Sequence, residues 1–300
     1  MKKQKIFCGA QGHAIVADVF GEGSPILLAH GGGQTRLAWT RTARALMQAG
    51  YSAIAMDLRG HGESAWSPSG SYQLDDFAMD LLAMSDQLNE KPALVGASLG
   101  GLAGLIAEGE LRSGSFTSLT LVDITPNMEP VGVAHVLDFM RAHLADGFAS
   151  PDEAAEAIAN YLPNRRRRKG SESLDRYLRR CDDGRLRWHW DPRFITSVTN
   201  GKVGQSENRL TDAAKNLKLP IHLIRGGSSN LVSVDAAQEF LRLAPHSAYT
   251  DIAGAGHMVV GDRNDAFTEA VVSFFRGPQI SQRNGDTRDD WPRNRSRPIL

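Results

Sequence analysis

The sequence predicts an α/β protein: an open, mostly parallel sheet with helices on both faces and a helical segment inserted late in the chain. Three observations carry this reading. Short apolar runs alternate with amphipathic helical patterns over the first 125 residues, the same alternation returns near residue 219, and residues 126–218 break it.

The opening segments, about residues 5–20, suit an antiparallel hairpin at one edge. PILLAHG (25–31), YSAIAMD (51–57), KPALVGAS (91–98) and FTSLTLVDI (116–124) are continuous apolar runs, as strands covered on both faces require. Between them, Trp39, Ala43, Leu46 and Met47 mark one helical stripe, and Phe77, Leu81, Met84 and Leu88 mark another. Later, IHLIRGG (221–227) and SAYTDIAGAG (247–256) read as strands with a loop at the end of the second. Ala237, Phe240, Leu241 and Ala244 mark one of the late helices, and Ala266, Ala270, Val271 and Phe274 the last. Residues 1–125 and 206–278 are therefore expected to form the core and 126–205 a helical cap, with helix-like stretches at 133–145 and 151–162. The stretch 279–300, rich in Arg, Asp, Asn and Pro, is expected to be a disordered tail.

Composition narrows the class. Lys plus Arg and Asp plus Glu both number 34, so nothing in the charge balance draws the chain to nucleic acid or an anionic membrane. Cys8 and Cys181 fit no metal-ligand spacing and form no disulfide framework, which predicts a reducing cytoplasm. The first twenty residues hold no apolar stretch of signal-peptide length, and no segment approaches the ~20 apolar residues that cross a bilayer.

Three short motifs carry chemistry. Gly96-Ala97-Ser98-Leu99-Gly100 follows the strand ALVG and precedes the helical LAGLIAEGEL. A strand running straight into a helix forces a sharp turn that holds Ser98 out at the end of the sheet, where it can act as a nucleophile. An incidental serine in a glycine-rich turn is the competing reading. His30-Gly31-Gly32-Gly33 follows PILLA, and its glycines let backbone N–H groups approach a developing oxyanion. The amides of Leu99 and Gly32 are the candidate donors, with Gly33 as a substitute. Neither phosphate-loop pattern, G-x-G-x-x-G or G-x-x-x-x-G-K-[ST], is present in this loop. His30 itself reads as structural. His257, framed by Ala253-Gly254-Ala255-Gly256, sits in the loop after the last strand, well placed to serve Ser98 as a base.

The order of H-G-G-G, Asp57-Leu58-Arg59-Gly60-His61-Gly62-Glu63-Ser64, the G-x-S-x-G elbow and a late G-H resembles the α/β-hydrolase superfamily, within it the capped serine esterase and lactonase branch. The match covers about residues 5–125 and 219–277. It implies an eight-stranded sheet, a mainly structural role for the loop 57–64, and an acid after the sixth or seventh strand. The usual aspartate after the seventh strand is missing: alignment on Gly226 puts Ser229 there, with Asn230 next. The sixth strand ends in Leu121-Val122-Asp123, so Asp123 is the candidate acid, against the alternative of an aspartate that merely caps a turn. Failing Asp123, another acid such as Asp251 or Asp262 near His257 would have to serve.

Trp188 and Trp190, with Phe139, either roof an apolar acyl or aryl pocket or simply pack the cap; the basic run Arg165–Lys169 reads as solvated cap surface. A serine nucleophile excludes the aspartate-dependent epoxide hydrolases and haloalkane dehalogenases and leaves acyl transfer. The expectation is a cofactor-free hydrolase of a small apolar ester or lactone, with no metal and with a homo-oligomer left open. A perhydrolase of the non-haem haloperoxidase type, a carbon–carbon bond hydrolase and a ligand receptor on the same fold are the alternatives.

Overall fold

In the computed structural model, which describes residues 1–161, 177–200, 203–257, 260 and 264–277, the edge hairpin is β1 (Lys2–Cys8) and β2 (Ala14–Phe20). The apolar runs become β3 (Pro25–Ala29), β4 (Ser52–Met56), β5 (Ala93–Ala97) and β6 (Leu119–Val122). A short hairpin, β7 (Leu178–Arg180) and β8 (Leu186–Trp188), lies in the inserted segment. The sheet resumes with β9 (Ile221–Gly226) and β10 (Ala248–Ile252). Its eight strands run in the order β1-β2-β4-β3-β5-β6-β9-β10, antiparallel at β1-β2 and β2-β4 and parallel elsewhere.

Strand periodicity splits the interior into two cores. Leu27, Ala29, Ile54, Met56 and Leu94 face one; Ile26, Leu28, Ala53, Ala55 and Val95 face the other. The second core is closed by α1 (Thr40–Gln48), after the 3-10 turn Arg36–Trp39, through Trp39, Ala43 and Leu46. The first is covered by α2 (Leu74–Asp86), through Phe77, Leu81 and Met84, and by α3 (Leu99–Ile106). Leu88, expected on the α2 stripe, lies past the end of that helix. Each fully buried leucine or isoleucine contributes about 1.5–3 kcal/mol, so these two faces supply most of the drive to fold.

The inserted segment departs from the all-helical expectation. It contains α4 (Pro130–Arg141), α5 (Pro151–Tyr161) and α6 (Pro192–Asn200), but also the β7-β8 hairpin. Leu186 and Trp188 turn inward while Arg187 is only partly buried, an alternation over three residues too short to read from sequence. Next comes α7 (Val203–Asn216), which is a core helix: Leu210, Ala213 and Ala214 join the first core beside α3. α8 (Val234–Leu243) places Ala237 and Phe240 in that core, and α9 (Asn264–Arg276) places Phe267 and Val271 in the second. The basic run 165–169 and the tail 279–300 lie outside the described residues. No helix among the described residues is long and apolar enough to cross a membrane.

Candidate active site

β5 passes into α3 through one residue, Ser98, which adopts φ 46° and ψ −116°. A side chain in this sparsely populated region costs about 1–3 kcal/mol, and the surroundings must impose it. They do so by steric closeness: a Cβ at Gly96 would lie 2.5 Å from the Gly100 carbonyl oxygen, and one at Gly100 2.5 Å from that of Ala29. The small residues at either side of the serine are thus required by backbones that nearly touch. Hydrogen bonds from the Ser98 amide to Val122 O (3.1 Å) and from Leu102 N to Ser98 O (2.9 Å) fix the turn.

Directly after β6 comes Asp123, fully buried at φ 52°. Its amide donates to Ile224 O (2.7 Å) on the adjacent β9, which aims the side chain across the strand ends. Oδ1 accepts from the Gly226 amide (2.9 Å). Oδ2 accepts from the Ser229 hydroxyl (2.6 Å) and lies 2.8 Å from Nδ1 of His257. Ser229, standing where the resemblance places an acid, is therefore a donor to Asp123, the candidate acid just past the neighbouring strand. Sequence reading left it without a role. Asp251, the other described carboxylate considered, pairs with Arg225 (2.6 Å) instead. With Nδ1 of His257 engaged, Nε2 is the ring nitrogen left for Ser98, and the two residues line one cavity.

The glycine loop shows how its polar groups are allotted. Gly31 N–H donates to Oε1 of Gln34 (3.0 Å), and Gly31 O accepts from Gln34 N–H (3.1 Å) and from Nδ1 of His30 (2.8 Å). The Gly33 amide donates to Nε2 of His61 (3.1 Å). This overturns Gly33 as the substitute oxyanion donor, because its N–H is already committed. No hydrogen bond among the described residues engages the amides of Gly32 or Leu99, and the Leu99 amide is one of the orphan donors at a helix start. Both residues line the cavity beside Ser98.

His30 is structural as expected: its Nε2 accepts from Leu58 N–H (3.0 Å). The loop 57–64 is also a scaffold, with Asp57 receiving Arg36 and the Glu63 amide, and Ser64 bridging Val16 N and Asp57 O. Yet His61 of that loop, and His189 of the inserted segment, touch the glycine loop, which no local motif announced. Burial holds His30, His61 and His189 neutral, with pKa values lowered from 6.5 to about 3.

The cavity measures about 190 Å³ and is walled by apolar side chains, Trp188, Trp190 and Phe139 among them. Trp188 stacks on Trp190 at 4.8 Å and tilts against Phe139 at 5.4 Å. Met140, Tyr161 and Phe194 line it too, although sequence reading did not single them out. Among the described lining residues there is no Arg, Lys, Asp or Glu. A ligand there gains apolar burial and meets no Arg, Lys, Asp or Glu among the described lining residues.

The model of the alpha/beta hydrolase fold family matches residues 24–263. An esterase of Mycobacterium tuberculosis, Rv0045c, is 29% identical over 87% of this chain and 86% of its own length. A solved structure of that esterase, 27% identical, superposes with a TM-score of 0.70 over 92% of this chain and 93% of the other. Non-heme chloroperoxidase CPO-A1 of Kitasatospora aureofaciens is 26% identical over 85% of this chain and 94% of its own. A 2-hydroxy-6-oxo-6-(2'-aminophenyl)hexa-2,4-dienoic acid hydrolase of Metapseudomonas resinovorans is 26% identical over 85% of each chain.

Proposed function

Because this chain belongs to the alpha/beta hydrolase fold family, we propose that it is a serine hydrolase that cleaves a neutral, apolar carboxylic ester or lactone through an acyl-enzyme. The observation that carries the reading is the 2.8 Å contact between His257 Nδ1 and Asp123 Oδ2, in a site whose cavity also receives Ser98 and the unengaged amides of Gly32 and Leu99.

In this reading Ser98 Oγ attacks the carbonyl carbon while Nε2 of His257 takes its proton, and Asp123 stabilises the imidazolium. The Gly32 and Leu99 amides receive the oxyanion. Collapse expels the alcohol, which leaves with the proton from His257. Water, deprotonated by the same nitrogen, then attacks the acyl carbon and releases the acid and Ser98. The inserted segment 126–205 is the cap that selects the substrate. The lack of Arg and Lys among the described lining residues favours an ester over the acid substrate named for the Metapseudomonas relative, since a buried carboxylate needs a cation or several donors. The similarity to the chloroperoxidase keeps perhydrolysis, with peroxide in place of water, as the second reading. Unpaired Cys8 and Cys181 accord with a cytoplasmic setting.

The test is burst kinetics with p-nitrophenyl acetate and labelling by a fluorophosphonate probe, on the wild-type chain and Ser98→Ala. The wild type should release one equivalent of nitrophenol in the burst and take up one probe. Ser98→Ala should lose both with an unchanged circular dichroism spectrum. Residual turnover above a few per cent would sink Ser98 as nucleophile, and peroxide-dependent turnover exceeding hydrolysis would favour the second reading.

A further inference from the structure

Gly33 is gripped on both sides by histidines from opposite parts of the fold. His61, on the core loop after β4, takes the Gly33 N–H on Nε2 and donates from Nδ1 to Arg59 O (2.9 Å). His189, just after β8, reaches Gly33 O with Nε2 (3.3 Å) and accepts the Gly62 N–H on Nδ1 (2.8 Å). The partners fix both tautomers: an Nδ1–H for His61 and an Nε2–H for His189. The two rings lie 5.9 Å apart, and each is less than a tenth exposed. Gly31 is committed on both its N–H and C=O, and Gly33 likewise. Gly32, between them, has no hydrogen bond to its amide from the described residues. Its orientation is therefore set by its neighbours.

From this geometry we infer that His189 is a positioning residue for the oxyanion loop, so that the inserted segment completes the machinery that holds the transition state as well as roofing the pocket. The inference rests on the serine-hydrolase reading for its chemistry. Its physical content is that Gly33, at φ 74°, sits in a backbone region glycine leaves easily. Without a donor on Gly33 O, the Gly31–Gly33 backbone gains freedom and the Gly32 N–H spends less time aimed at the oxyanion. Trp190 and Met140 pack against Gly33 and Phe194 against Gly32, but these are apolar contacts that supply no donor to Gly33 O. Two further ties, Tyr72 Oη–H to Asp191 Oδ2 (2.6 Å) and Arg193 to Ser67 O (2.9 Å), join the inserted segment to the core without a hydrogen bond to the glycine loop.

The experiment compares the wild type with His189→Gln, His189→Asn and Tyr72→Phe in the full chain. A glutamine amide reaches roughly as far as Nε2 and can donate to Gly33 O. An asparagine reaches only as far as Nδ1, so it can serve Gly62 but not Gly33. With p-nitrophenyl acetate, His189→Asn should lower kcat about 10–100-fold with KM within ~3-fold, a partial loss of what an oxyanion donor supplies. His189→Gln should stay within ~5-fold of the wild type on the same scale. Tyr72→Phe should lower the melting temperature yet leave kcat within ~2-fold, since it breaks a tie that misses the loop. Equal kcat for the asparagine and glutamine variants, a defect confined to KM, or a kcat loss in Tyr72→Phe matching that of His189→Asn would overturn the inference. Amide hydrogen exchange at Gly33, followed by NMR, reads the clamp without turnover. Faster exchange in His189→Asn beside an inactive wild type would sink the hydrolase reading and leave the clamp. Unchanged exchange beside an active wild type would sink the clamp alone.

Discussion

Asp123 lies in the left-handed region, fully buried, and three donors from the end of β9 and the loops after β9 and β10 converge on its carboxylate: Gly226 N–H, the Ser229 hydroxyl and His257. These hydrogen bonds offset the loss of water and aim one oxygen at the imidazole. An amide at this position keeps the shape but removes the charge and can present its NH₂ to His257, favouring the wrong tautomer. Asp123→Asn should therefore lower turnover on p-nitrophenyl acetate by about two to four orders of magnitude. Ser229→Ala removes one of two donors to Oδ2 and should lower turnover only about 3–10-fold, in keeping with one hydrogen bond. Steady-state kinetics on the two variants, with melting temperatures as a folding control, checks the order. A nearly silent Asp123→Asn would exclude it as the acid.

At the scale of elements, the strand–serine–helix turn and the inserted hairpin do different work. The turn is rigid because Gly96, Gly100 and Ala29 approach at backbone contact. The hairpin carries Trp188, whose Nε1 donates to Ala142 O (2.9 Å) and whose ring meets Phe148, Phe139 and Trp190. With that many partners and 3% exposure, Trp188 holds the inserted segment together as much as it lines the cavity. Phe139 is only partly buried and stacks on Tyr161 at 3.9 Å. Trp188→Ala should therefore cost about 3–5 kcal/mol of stability, as large core truncations do. Phe139→Ala should instead leave the melting temperature nearly unchanged and shift the kcat/KM ratio of hexanoate to acetate esters by about tenfold, the scale of a few methylenes. A matched panel of nitrophenyl esters and a thermal melt separate them. Equal losses on both esters from Phe139→Ala would mean that this wall does not select the acyl chain.

For the whole molecule, four histidines are buried and neutral: His30, His61, His189 and His222, each lowered by burial from 6.5 to about 3. In the unfolded chain they take up protons near pH 6.5, whereas the folded chain resists until about pH 3. Between those values the unfolded state binds more protons, so stability is present above pH 6.5 and lost as pH falls. Each group contributes a slope approaching about 1.4 kcal/mol per pH unit in that window. The melting temperature should be flat from pH 8 to 7 and drop by roughly 10–20 °C between pH 6.5 and 5. His222→Gln, remote from the site on β9 beside Phe274, should flatten that drop by about a quarter, one group of four. Scanning calorimetry across pH measures both, and a melting temperature equal at pH 5 and 7.5 would contradict the burial argument.

Ser98, His257 and the glycine loop were legible in the sequence because their constraints are local. A strand that meets a helix within one residue needs small neighbours, and a loop whose amides face a substrate needs glycine, whatever the rest of the chain does. Strands β3 to β6 were legible for a similar reason, since a strand covered on both faces must be largely apolar. The division of labour between distant groups was not. Asp123 and Ser229 meet only because β6 and β9 are neighbours in the sheet, and His61 and His189 meet at Gly33 only because the inserted segment folds back over the loop after β4. Sequence spacing carries no record of such approaches. They arise from the packing of whole elements, which decided which carboxylate faces His257, which amides of the glycine loop are committed and which part of the inserted segment reaches that loop.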